Sequence, residues 1–204
     1  MKKNTCDSDA ARDSYHHGNL RSDLIDHGAQ LLAEAGVDGF SMREVARRAG
    51  VTVAAPRPHF GHAKGLLTAI AACGFEALAE RQIQEMASSD DPMTRVVLLC
   101  ETYVLMAKTH PGYAAIMFRW DLLDRTDVTY SKAAKNALDT LTNAVAEMLP
   151  ADTSQDILDY SAKTLWATMQ GLVTLSLTEG EQAASRVEFA VKSVLLGTVV
   201  IIEQ

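Results

Sequence analysis

Several things are scarce in these 204 residues, and each scarcity excludes something. No run of about 18 apolar residues occurs, so no membrane-spanning helix is expected. The most apolar stretch, residues 194–202, is short and interrupted by Gly197 and Thr198. The first 14 residues are polar and lack the apolar core of a signal peptide, and a cytoplasmic location is expected. The three cysteines, Cys6, Cys73 and Cys100, are far apart and form no CxxC pair, which predicts free thiols. Prolines number five and glycines twelve, and they cluster at few places, leaving long stretches for continuous helix. Alternating strand patterns, internal repeats and low-complexity segments are missing.

Catalytic signatures are missing as well. There is no GxSxG, no phosphate loop, and no HExxH or CxxC metal spacing. His16 and His17 lack a nearby third ligand, and Asp90-Asp91 sits at a helix start, where carboxylates suit the dipole. Neither a catalytic site, a metal nor a cofactor is therefore expected.

What is present is unevenly charged. The formal net charge is -7, yet residues 1–64 carry nine Lys and Arg against eight Asp and Glu, leaving ten against eighteen for the rest. Five of the six histidines also lie in the first part. A near-neutral head on an acidic body can approach phosphates if its basic residues share a face.

Periodicity gives an all-α reading of about nine helices. Leu20, Leu24, Ile25, Leu31 and Leu32 form a helical stripe that Gly36 stops. Ser41-Met42-Arg43-Glu44 has the spacing of a capping box, in which the Ser hydroxyl and the Glu carboxylate satisfy backbone N–H groups reciprocally. A short helix follows, closed by Gly50. Thr52 is the expected N-cap of a second short helix starting at Val53. Two short helices around a tight Gly turn form a helix-turn-helix. Pro58 would end or bend the second one near Arg57. Helices are then predicted over residues 64–87, 92–109, 112–123, 128–149, 154–179 and 183–203.

Tyr15-His16-His17-Gly18-Asn19-Leu20-Arg21 resembles the opening of many regulators of the TetR family. The stretch from Phe40 through Ser41, Arg47 and Arg48 to Val51-Thr52 resembles their helix-turn-helix, and His59-Phe60 with Leu66-Leu67 resembles the passage into the connecting helix. Trp166-Ala167-Thr168-Met169-Gln170-Gly171 is similar to a Trp-His-Gly pattern of one subgroup of C-terminal domains, with Gln170 in place of the histidine. The resemblance implies a tail over 1–14, a three-helix DNA-binding head over 15–63, and a helical ligand-binding and dimerisation body over 64–204. It implies a homodimer paired through the last two helices. It also implies a double-stranded operator as partner and a small-molecule effector that releases the DNA.

In such a head Thr52, Val53 and Ala54 face base edges. Arg43, Arg47, Arg48, Arg57, His59 and Lys64 are the candidates for phosphate contacts. The sequence departs from the family at Arg57, where a Tyr is usual, at Pro58, and at Ala63, where a Lys is common. The alternative reading is a ligand-binding or protein-interaction module with an impaired head. For the effector pocket the candidates are Tyr103, Met106, His110, Tyr113, Met117, Phe118, Trp120, Trp166, Met169 and Gln170, as apolar and aromatic walls with a few polar groups. Leu158, Leu165, Leu172, Leu175, Val187, Val191, Val194, Leu195, Val199 and Ile202 supply apolar faces for core and partner.

Overall fold

A computed structural model describes residues 20–179 and 186–202. The tail predicted over 1–14, the His16-His17 pair and the break at Gly180 lie outside the described residues. Among the described residues there are nine helices and no strand. In chain order they are α1 (Leu20–Ala35), α2 (Met42–Arg48), α3 (Arg57–Phe60), α4 (Ala63–Met86), α5 (Pro92–Thr109), α6 (Pro111–Met117), α7 (Val128–Ala146), α8 (Gln155–Glu179) and α9 (Val187–Ile202). Of these, no helix is long and apolar enough to cross a membrane.

Helix α4 is the axis of the molecule. It packs against α1 and α3 and against α5, α6 and α7. Its buried residues, including Leu66, Ile70, Phe75 and Leu78, recur at helical spacing and join most of the core. Helix α6 docks on α1, and the backbones come so close that a Cβ on Gly112 would lie 1.9 Å from the Ala29 carbonyl oxygen. Helices α8 and α9 pack together and onto α5.

The helix expected over 112–123 is shorter than its pattern suggested. It ends at Met117, and residues 118–127 turn back instead. Local pairing accounts for this: Arg119 pairs with Asp121, and the Asp124 carboxylate accepts from the Thr126 N–H at 3.0 Å. Thr68 of α4 fastens this turn by accepting from the Asp124 N–H at 2.9 Å while donating to the Lys64 carbonyl at 2.8 Å.

Candidate nucleic-acid interface and core cavity

The head forms where the sequence calls for it, with one change of register. Ser41 caps α2 as expected, its hydroxyl accepting from the Glu44 N–H at 3.2 Å. The Glu44 carboxylate does not reach back, because two arginines hold it: Arg47 at 2.6 and 2.8 Å and Arg48 at 3.0 Å. Arg48 also donates to Glu34 of α1 at 2.7 Å. These guanidiniums, Arg47 first and then Arg48, hold the Glu44 carboxyl down to about 2. Arg48 likewise lowers Glu34, and both arginines are raised by their carboxylate partners.

The second short helix corrects the prediction. Thr52 does not cap a helix at Val53, and α3 begins at Arg57, with Pro56 as its N-cap. Pro56 and Pro58 have no N–H, so bonds from residues 56 and 58 to the carbonyls four residues back cannot form. Residues 53–56 instead make turns, with Ala55 donating to Thr52 at 3.0 Å and Arg57 to Ala54 at 3.2 Å. Four-residue bonds start with Phe60 donating to Pro56 and Gly61 to Arg57. Pro58 therefore sits in the first turn of α3, where a missing N–H costs nothing, and it opens the helix that it was expected to end. Gly61, at φ 69°, reverses the chain into α4.

Thr52, Val53 and Ala54 all face solvent on these turns, Val53 being 61% exposed. Arg43, Arg57, His59 and Lys64 are also exposed. Arg47 and Arg48 differ from them in being committed to carboxylates. Phe60 is buried beneath the Arg21 guanidinium, 5.5 Å from its ring centroid.

The candidate pocket residues divide among several places. Tyr103, Trp166 and Met169 line a core cavity of about 30 Å³ between α4, α5, α7 and α8, together with Leu78, Gln82, Leu99, Cys100, Ala137 and Leu141. Phe118 packs edge-on against Trp166 and Phe75 behind this cavity, with ring centroids 5.3 and 5.4 Å away. Met106, His110 and Tyr113 line a different, open cleft of about 1100 Å³ between α4 and α5, where Glu80, Arg81, Glu85, Glu101 and Lys108 supply charge. Met117 is buried against Gly74.

Trp120 lines neither of these two cavities: it is 57% exposed on the turn after α6, under the Arg125 guanidinium. Its place is set by the early end of α6, which carries the ring out of the core. Gln170, expected to need a partner, has one in the protein, since the Tyr103 hydroxyl donates to its Oε1. Burial raises the Tyr103 hydroxyl and pushes the Cys100 thiol up to about 12, so both stay neutral.

The residue that sequence reasoning missed is Gln82. It is 5% exposed, its Nε2 donates to the Leu99 carbonyl at 3.1 Å, and its Oε1 has no partner. The signal was a polar residue continuing the stripe Ala71, Phe75, Leu78 at helical spacing.

Residues 24–70 match the family model of bacterial regulatory proteins of the tetR family, and residues 96–195 match that of tetracyclin repressor-like C-terminal domains. The chain belongs to the TetR family. It is accordingly a DNA-binding transcriptional regulator and not an enzyme. Among solved structures, a protein of unknown function from Rhodococcus sp. RHA1 is 29% identical, with 91% of this chain and 98% of that one covered at a TM-score of 0.75. A TetR-family transcriptional regulator from Streptomyces coelicolor is 23% identical, with 88% and 98% covered and a TM-score of 0.68. The regulator FadR from Bacillus subtilis, solved in complex with stearoyl-CoA, is 15% identical, with 87% and 97% covered and a TM-score of 0.68. No curated protein matches the chain.

Proposed function

We propose that this TetR-family regulator is a cytoplasmic repressor that binds a palindromic operator as a homodimer and releases it when a small molecule occupies the core of the body. The head is residues 15–63 and the body residues 64–204. One observation carries the reading: α4 abuts α3 at its first turn and lines the core cavity with Leu78 and Gln82 near its other end. A ligand that pushes on those side chains acts on the same rigid element that holds the head. The FadR structure, whose fold this chain shares, holds stearoyl-CoA, which supports a ligand-holding body.

The dimer is proposed through α8 and α9. Leu165, Leu172, Val187, Val191 and Leu195 are buried within the protomer. On the same two helices Tyr160, Leu175, Phe189 and Leu196 remain 69%, 44%, 76% and 62% exposed, an apolar surface suited to a second copy.

Selection from random duplex DNA, followed by fluorescence anisotropy at several salt concentrations, tests the reading. An enriched palindrome bound by dimers is expected. Arg57→Ala should weaken binding to all sequences alike and reduce the salt slope by about 1, as loss of one phosphate contact does. A folded dimer with no preferred sequence would favour the impaired-head alternative, which the single helical turn of α3 supports.

A further inference from the structure

We propose that the core cavity takes a small, neutral, mostly apolar molecule bearing one O–H or N–H donor, and that Oε1 of Gln82 receives that donor. This rests on the ligand response proposed for the body and names the chemistry of its ligand.

The amide orientation of Gln82 is fixed. Its neighbour on α5 is the Leu99 carbonyl, which can only accept, so Nε2 must face it and Oε1 must face away. Buried side-chain oxygens in proteins nearly always have a donor, and this one has none. The other polar groups nearby do not supply it. The Tyr103 hydroxyl is committed to Gln170, which leaves the Gln82 oxygen as the open acceptor on the cavity wall.

The rest of the wall sets the remaining chemistry. No charged side chain lines the cavity, so an ion entering it would lose its hydration without a counter-charge. The Cys100 thiol and Tyr103 hydroxyl are neutral for the reason given above. Trp166 offers an aromatic edge, and Met169 a flexible thioether that can move aside for a body larger than one water. The volume of about 30 Å³ is near that of a single water, so a larger occupant requires the wall to widen, and α4 is part of that wall.

Calorimetry on the full-length protein with phenol, anisole and benzoate tests the assignment. Phenol carries the donor, anisole has the same ring and oxygen without it, and benzoate is charged. Phenol should bind at least about tenfold tighter than anisole, as expected for one buried hydrogen bond, and benzoate should not bind. In Gln82→Met the phenol-to-anisole ratio should fall to within about twofold while circular dichroism stays that of the parent. In Gln84→Met, which alters the open cleft instead, the ratio should persist. Equal affinities for phenol and anisole, no binding of phenol, a ratio that survives Gln82→Met, or one lost in Gln84→Met would each overturn the proposal. Operator anisotropy with phenol separates it from the functional reading. Gln82-dependent binding without DNA release keeps the site and removes ligand-released repression.

Discussion

At its first turns α4 meets backbone and closed hydrogen bonds, whereas from its middle onward it meets a movable side chain and an open acceptor. A Cβ on Gly65 would lie 2.1 Å from the Phe60 carbonyl oxygen, and Thr68 has a partner for both its donor and its acceptor. Further along, a Cβ on Gly74 would meet the Met117 sulfur at 2.8 Å, and Gln82 keeps an unpaired oxygen. The difference teaches how one helix serves two ends. A polar group with every partner in place acts as a fastener and fixes register. One with a partner missing leaves its surroundings able to respond to whatever supplies it.

The contrast can be broken most sharply at Gly65. Gly65→Ala drives a methyl into backbone that cannot swing away, and a loss of about 3 kcal/mol with loss of operator binding is expected. Urea unfolding at fixed protein concentration, with anisotropy, checks it; parental stability would mean that the α3–α4 junction is soft after all. Thr68→Val comes next. It leaves the Asp124 N–H without its acceptor and should cost about 2 kcal/mol in the same assay. Gly74→Ala should cost ~1 kcal/mol, because Met117 can change rotamer and the Tyr113 Cβ, at 3.1 Å, need give by only a few tenths of an ångström. A larger loss than at Gly65 would reverse the comparison. The smallest effect, of opposite sign, is expected for Gln82→Met. Gln82→Met gives up the Nε2 bond to the Leu99 carbonyl but also removes a buried oxygen that has no partner, so by offset it should leave stability unchanged or raise it by up to ~1 kcal/mol in a thermal melt without ligand.

Much of this architecture was legible because it is written in local rules. Ser41 as a cap and Gly36 and Gly50 as stops need no tertiary information, and α5 ran as predicted from residue 92 to 109. Reading failed where one residue type has two meanings. Pro58 can end a helix or open one, and only the pairing of Phe60 and Gly61 with residues 56 and 57 decides between them. Aromatic residues posed the same difficulty. Trp120 and Trp166 look alike as pocket candidates, yet the turn at Arg119–Asp121 sends the first to solvent while α8 carries the second to the cavity. Gln82 was overlooked because helical periodicity finds apolar faces and is silent about a polar residue within one. Its lack of a partner depends on Leu99, in the next helix along the chain.

The ion pairs of α2 bear on how the head senses its surroundings. Arg47, Arg48, Glu44 and Glu34 together carry no net charge, so as a unit they displace few of the cations condensed along a duplex. Counterion release would then come mainly from Arg43, Arg57 and Lys64, each phosphate contact adding ~0.9 to the slope of log affinity against log salt. A head with two of its five arginines already answered from within grips DNA through fewer counterions, and its hold should change less steeply as the ionic strength around it rises.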